Sequence, residues 1–384
     1  MTTQAMHTIP VMKPWLGAEE AEAAAAAVAS GWVAQGPRVA AFEEAVAART
    51  DARYGVAVSS CTAALHLAML CLGIGPGDEV VVPSLSFIAT ANAVRYVGAH
   101  PVFADVEAAT QNLTPATVEA VLTPRTRAVI LVHQAGVPAD IDALQALCRP
   151  RDIAIVEDAA CAIGSTYHDR PIGGHSDLVT LSFHPRKVIT CGEGGMLLTT
   201  NADYADRARR LREHGMNVSA AARHASDTVV IEQYLETGWN FRMTDIQAAV
   251  GLVQLDRLDA IVTRRRELAA RYHAALTDIV GGAHIDDPVW GRTNYQSYWI
   301  VLPDDFPMPR NEVLAAFARE GISGRRGIMA SHLEPAYAGH PHIDLPVTTM
   351  LTERSMILPM FHEMTDTDQD AVVAAFRRAA ARTA

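Results

Sequence analysis

The sequence predicts an α/β fold built on a largely parallel sheet, and two observations carry that prediction. Between residues 55 and 200, short apolar runs alternate with segments of helical periodicity; beyond residue 200 the pattern turns mainly helical. Strands that alternate with helices need crossover connections, which make the strands parallel and cover both faces of the sheet. At 384 residues the chain exceeds one simple core and suits two packed domains. The expected division is a large domain over 1–261, entered through an N-terminal arm over 1–20, and a smaller α+β domain over 262–384.

Seven runs read as strands: GVAV (55–58), EVVVP (79–83), PVFAD (101–105), AVILVH (128–133), IAIVED (153–158), LVTLSF (178–183) and GMLLTT (195–200). Between the first two, TAALHLAMLCLG is apolar at helical spacing and ends at Gly73. A short glycine-rich link joins the last two strands, so an antiparallel edge is expected there. In RMTDIQAAVGLVQLDRLDAIVTRRREL, Thr244 stands three residues before Gln247, a capping box that opens a long helix. A Gly/Asp/Pro-rich stretch, GGAHIDDPVWGRTN, leads to a strand in YQSYWIVL, a helix near 311–320 and a last helix from about 366.

The bulk properties exclude several function classes. A formal net charge of -11 argues against a nucleic-acid backbone as the main partner. No apolar run approaches the ~20 residues that span a bilayer, and the opening MTTQAMHTIPVMKPW lacks the sections of a secretory signal. Cys61, Cys71, Cys148, Cys161 and Cys191 form no C-x-x-C pair. Reduced thiols in a cytoplasmic protein, with no metal framework, are the expectation.

Three features carry chemistry. The chain contains 30 arginines and only two lysines, Lys13 and Lys187, and Lys187 sits in SFHPRKVITCGEGG. An amine can lose its proton and attack a carbonyl, which a guanidinium does not do. The glycines that follow (Gly192, Gly194, Gly195) permit close backbone approach. Second, the run IAIVED delivers Asp158 to the C-terminal end of a strand, where open α/β sheets place ligands; a helix cap is the other reading of that aspartate. Third, in VSSCTAALHL a strand gives way at Ser60 to a helix start, whose free N–H groups and hydroxyls suit a phosphate, although ordinary capping looks the same. Together a lysine, a carboxylate and a phosphate-binding helix start are the minimal kit for pyridoxal 5'-phosphate (PLP). The lysine takes the aldehyde as a Schiff base, and the acid keeps the pyridine nitrogen protonated. Burial of Lys187 and the nearby cofactor cation are expected to favour the neutral amine that a base requires.

With these residues in place, the sequence resembles the DegT/StrS-type sugar aminotransferases, which are fold-type-I PLP enzymes. The resemblance runs over nearly the whole chain, through SGWVAQGPRVAAFEEAVA, SSCTAALHLA, GIGPGDEVVVPSLSFIATANAVRYVGAHPVFADV, HQAGVPADID, EDAACAIG, SFHPRKVITCGEGGM, GWNFRMTDIQAAVGLVQLDRLD and LPMFHEMTDTDQDAVV. It implies that Lys187 is the Schiff-base lysine and proton shuttle and that Asp158 pairs with the pyridine nitrogen. By the same resemblance Phe87 stacks on the ring, and Thr62, Ala63 and Ser182, with the Cys61 backbone, bind the phosphate. Asn240, in the G-[YW]-N-[YF]-R block, would reach the phosphate of a neighbouring subunit, which makes a homodimer with shared active sites the expected assembly. Cys161 stands where many members carry His or Gln beside the phenolic oxygen, and a thiol is a poorer partner there. Some relatives replace the lysine with histidine and act as dehydratases; this chain keeps Lys187.

Arg242, Arg325, Arg326, His332 and Tyr337, with Trp32, Gln35 and Tyr295, are candidates for substrate contact, and each also reads as an ordinary structural residue. The reaction implied is ping-pong transamination, from an amino acid such as L-glutamate to the keto group of a nucleotide-linked keto-deoxysugar in amino-sugar biosynthesis. A keto-cyclitol or other secondary-metabolite ketone is the alternative acceptor. A non-catalytic PLP-fold sensor or scaffold is the alternative of another class.

Overall fold

The computed structural model describes residues 8–218, 227–281 and 283–381. The first seven residues of the expected N-terminal arm therefore lie outside the described residues. The central feature is a seven-stranded sheet of β1 (Tyr54–Val58), β2 (Glu79–Pro83), β3 (His100–Ala104), β4 (Thr126–Val132), β5 (Ala154–Asp158), β6 (Leu178–Ser182) and β7 (Gly195–Thr199). Its spatial order is β1-β7-β6-β5-β4-β2-β3. The run from β3 to β6 is parallel, while β7 is antiparallel to both of its neighbours, β6 and β1. The antiparallel strand is thus not the edge that its short link suggested. It is second from the edge, because β1 closes over its far side.

The strands are buried along nearly their whole length, which is why they read as apolar runs without alternation. Helices pack on both faces: Val56, Leu67 and Val80 belong to one apolar layer, and Val39, Phe42 and Leu181 to another. After β7 the chain becomes helical, as its periodicity predicts. The capping box forms as read, with Thr244 Oγ1 accepting from the Gln247 N–H at 3.2 Å. The expected single long helix is instead two, Asp245–Asp256 and Leu258–Val280. At Arg257 the backbone flattens to φ -86°, ψ -6°, and its N–H bonds back to Gln254. The Arg257 guanidinium leaves the helix axis to hold Glu19 and Glu20 and to lie 4.6 Å over the Trp15 ring.

The C-terminal part has its own core, in which the Leu258–Val280 helix, the strands Tyr298–Val301 and Ser355–Leu358, and the final helix Asp366–Ala380 bury Tyr272, Phe317, Met356 and Phe376. The N-terminal segment contributes to that core as well. Ile9 is 4% exposed within it, and its N–H and C=O bond to Gly321 and Ser323. The chain then passes Val11, whose carbonyl accepts from Met360, and reaches the large sheet. Among the described residues, no helix is long and apolar enough to cross a membrane.

Candidate active site

The C-terminal ends of the parallel strands, and the start of antiparallel β7, meet along one edge of the sheet. Pairing fixes which residues stand side by side there. Gly195 lies opposite Ser182 on one side and opposite Val58 on the other, and Asp158 lies opposite Val132 and Thr180. Above this edge is a cavity of about 390 Å³, within the range of small-molecule sites. Its wall includes Cys61, Thr62, Phe87, Asp158, Cys161, Ser182 and Lys187. Three sequence features spread from Cys61 to Lys187 thus converge on one space.

The helix Cys61–Cys71 begins at this edge. Ser60 is its N-cap in extended conformation, and its hydroxyl accepts from the Ala63 N–H at 3.2 Å. Ala63 is therefore engaged by the cap and buried, and it does not line the cavity; Thr62 and Cys61 do. The helix start lies directly on Gly195, where a Cβ would fall 2.4 Å from the Cys61 nitrogen and 2.4 Å from the Ser60 carbonyl carbon. No side chain fits between strand and helix, so glycine sets how deeply the N-terminus sits.

Asp158 is 5% exposed and is gripped on both oxygens. Thr90 donates to Oδ2 at 2.8 Å and the Ala160 N–H to Oδ1 at 3.2 Å. Ser86 Oγ lies 2.8 Å from Thr90 Oγ1. Because Thr90 spends its proton on Asp158, Ser86 is the donor to Thr90, and the relay runs Ser86, Thr90, Asp158. Burial pushes the Asp158 carboxyl above its ordinary range; the Thr90 and Ala160 hydrogen bonds, then Lys187 and His133, oppose that rise. A carboxylate in this position gains most from a cation laid against it.

The Lys187 amine donates to Cys161 Sγ at 3.1 Å. Burial by itself lowers its pKa, but Cys161 beside it, then Cys61 and Asp158, outweigh burial and raise it. Burial thus acts toward the free amine as expected, but without the cofactor cation the chain's own residues favour the ammonium form. Around the lysine, the Arg186 carbonyl accepts from Gln296 Nε2 at 2.8 Å, and the Lys187 N–H bonds to the His184 carbonyl.

Asn294 ties this region to the C-terminal part. It is fully buried and donates to the carbonyls of Cys161 and Ile163, both at 2.8 Å. Its Oδ1 would lie only 2.0 Å from a Cβ on Gly136. The neighbouring Ala135, on the cavity wall, adopts φ 53°, a conformation that costs an alanine on the order of 1 kcal/mol.

Other candidates lie elsewhere. Arg325 and Arg326 line the cavity mouth. His332 does not: it is buried, and Ser84 Oγ bonds both its N–H, at 3.1 Å, and its Nδ1, at 2.7 Å. That pins the segment around His332 to the loop after β2. Tyr337 is buried against Phe103 and donates to Asn92 at 2.8 Å. Tyr295 is a buried residue with φ 48°, a turn that aims its carbonyl at Arg265. Trp32 and Asn240 are exposed away from this cavity. Gln35 and Arg242 line a separate, open recess with Tyr234 and Leu235, where Arg242 lies 4.0 Å from Glu213.

Sequence reasoning missed several wall residues. Thr90 and Ser86 lie in SLSFIAT, where nothing distinguishes them from capping hydroxyls. Val11 and Met12 arrive from the N-terminal segment, and Arg265, Gln296 and Trp299 come from the C-terminal part. Arg186, the neighbour of Lys187, was passed over as well.

Comparison with known proteins agrees with this geometry. Residues 14–377 match the model of the DegT/DnrJ/EryC1/StrS aminotransferase family. Among solved structures, the aminotransferase TlmJ from Streptoalloteichus hindustanus is 35% identical, with a TM-score of 0.88 over 97% of this chain and 98% of that one. DesV of S. venezuelae is 33% identical, with a TM-score of 0.88 over 98% and 100% of the two chains. Spr1654 of Streptococcus pneumoniae, a putative sugar aminotransferase solved in its PMP form, is 26% identical, with a TM-score of 0.91 over 97% and 99%.

Proposed function

The chain belongs to the DegT/DnrJ/EryC1/StrS aminotransferase family, and from that premise we propose that it moves an amino group from L-glutamate to the keto group of a nucleotide-linked keto-deoxysugar. It is an enzyme of PLP chemistry. One observation carries the reading: Lys187, Asp158 and the Cys61 helix start open onto the same cavity.

The residues present fit PLP. Asp158, raised by burial and held by two donors, suits a protonated ring nitrogen. Phe87, 52% exposed on the cavity wall, offers a face for the ring. The backbone of Cys61 and Thr62, seated on Gly195, and the Ser182 hydroxyl would hold the phosphate. When bound, PLP supplies an aldehyde that condenses with a primary amine and a ring that withdraws electrons from the substrate Cα.

The protein's part is positioning and proton transfer. Lys187 Nζ must shed its proton before it can accept one from a substrate carbon, and a cation placed against Asp158 would lower its pKa toward that state. Cys161 Sγ, 3.1 Å away, keeps the amine directed into the cavity. Asp158, fixed by Thr90 and Ala160, keeps its charge at one point through both half-reactions.

The assembly we infer is a cytoplasmic homodimer. Its support is that Asn240 and Arg242 lie outside the Lys187 cavity, and that Arg242 shares an open recess with exposed Tyr234 and Leu235, which a second copy would cover. Five unbridged cysteines fit a reducing compartment. The acceptor reading is tested by converting the enzyme with L-glutamate and offering nucleotide keto-sugars and keto-cyclitols. Recovery of the original spectrum with sugars supports it; recovery with cyclitols alone overturns it. Mixing Lys187→Ala with Asn240→Ala subunits tests the sharing of sites. Restored activity in the mixture is expected, and none would contradict it.

A further inference from the structure

Building on the aminotransferase reading, we propose that Arg186 and Arg325 form an oxyanion subsite at the mouth of the Lys187 cavity, and that it takes the phosphate group of a nucleotide-linked acceptor.

Both side chains are exposed and both line the cavity that holds Lys187. Among the described residues, neither has a carboxylate within ion-pair distance. Carboxylates are in ample supply, since the chain has 43 acidic residues against 32 lysines and arginines. Many of its other arginines are neutralised, among them Arg257 by Glu19 and Glu20, Arg212 by Glu43, Arg266 by Asp287 and Arg377 by Asp278; Arg265, on the same cavity wall, is instead held by the Tyr295 and Gln296 carbonyls. Two unneutralised guanidiniums on one cavity rim repel each other unless an anion joins them. Their shared place on one cavity rim agrees with the electrostatics of Arg325. The Arg325 pKa is lowered first by burial and then by the charges of Arg186 and Arg326. His184 responds to the same pair: burial lowers its pKa, Glu193 opposes, and Arg186, Lys187 and Arg325 lower it further. Arg326 stands beside the pair on the rim, but Glu334 lies 3.3 Å from it and offsets its charge.

The backbone at Arg186 is fixed on both sides. Its N–H donates to His184 Nδ1 at 3.1 Å and its carbonyl accepts from Gln296. An anion held by the Arg186 fork would sit on the cavity that Lys187 also lines. A guanidinium fork matches phosphate oxygens two at a time. Two forks match a group of double negative charge better than a single carboxylate. Since the chain as a whole is acidic, a polyanionic substrate would be repelled everywhere else, and a local positive mouth would draw it in.

The test uses the PLP-loaded enzyme with dTDP, UDP and inorganic pyrophosphate as probes, measured by calorimetry. Arg186→Gln and Arg325→Gln are compared with wild type, and their near-visible cofactor band and thermal midpoint confirm a folded site. Each variant is expected to weaken dTDP binding on the order of tenfold to a hundredfold, as expected for a lost charged hydrogen bond. The rate of spectral conversion by L-glutamate should change by a smaller factor. If dTDP affinity stays within about twofold of wild type, or glutamate conversion falls as far as dTDP binding does, the subsite is not for the acceptor phosphate. If the wild type converts with L-glutamate but binds none of the three probes, the subsite falls while the aminotransferase reading stands. If it binds dTDP through the arginines but no amino acid converts it, the aminotransferase reading falls and the subsite stands.

Discussion

Thr90→Val removes one hydroxyl and leaves the volume nearly unchanged, so its effect isolates the hydrogen bond to Asp158. That bond is 2.8 Å long and reaches a buried carboxylate. A hydrogen bond to a charged group contributes about 1.5–3 kcal/mol. One pKa unit corresponds to about 1.4 kcal/mol, so the loss should raise the Asp158 pKa by roughly one to two units. The direction follows from the wild type, in which burial raises the carboxyl and Thr90 is the largest opposing contribution. The acid limb of the kcat/KM profile should therefore move to higher pH by that amount, because protonated Asp158 cannot hold the ring cation. The substitution also leaves Ser86, 2% exposed, without its acceptor, and an orphaned buried hydroxyl costs a further 1–3 kcal/mol or so. The double variant Ser86→Ala/Thr90→Val removes that orphan and should recover stability without recovering the pH limb. Thr90→Ser should restore both. The assay is a pH–rate profile with a parallel thermal melt. An acid limb that stays in place in Thr90→Val, with activity lost at all pH values alike, would refute the relay.

Further outcomes follow from the same geometry. Asp158→Asn should abolish activity and stabilise the cofactor-free chain. An aspartate whose folded pKa is raised carries a penalty that is absent below the unfolded value and grows as pH rises through the folded one, so the variant's thermal midpoint should overtake wild type as pH rises from 4 to 7. Gly195→Ala should cost about 3 kcal/mol or more and weaken PLP binding in equilibrium titrations, since its Cβ meets backbone on the Cys61 helix that cannot yield. Cys161→Ala should lower the Lys187 pKa, because burial then acts with less opposition; stopped-flow capture of PLP at pH 7 should be faster than in wild type.

Most of the sheet was legible because fully buried parallel strands must be apolar throughout, and IAIVED or LVTLSF has no other comfortable place. The position of β7 was not, since a short link says that two strands are neighbours and nothing about which strand covers the far side. Lys187 was legible through the rarity of lysine, and Asp158 through its place at a strand end. The Ser86–Thr90 relay was hidden because hydroxyls near a helix start look alike until their partners are known. His332 and Tyr337 were candidates for the substrate because the small domain closes over the site in this fold. The structure uses their hydrogen bonds to Ser84 and Asn92 to dock the loop that carries them. Breaks such as Arg257 depend on distant partners, Glu19 and Glu20, that local periodicity does not register.

The central claim is that Lys187 is the amine that carries the cofactor, and this chain makes the test unusually clean, because its only other lysine is Lys13, paired at the surface with Glu363. The protein is loaded with PLP, reduced with borohydride and digested, and the phosphopyridoxyl group is located by mass spectrometry. The account predicts a near-visible band that reduction bleaches, one label per chain on Lys187, and neither band nor label in Lys187→Ala. A label on Lys13, or a wild-type chain that takes up no PLP, would contradict it.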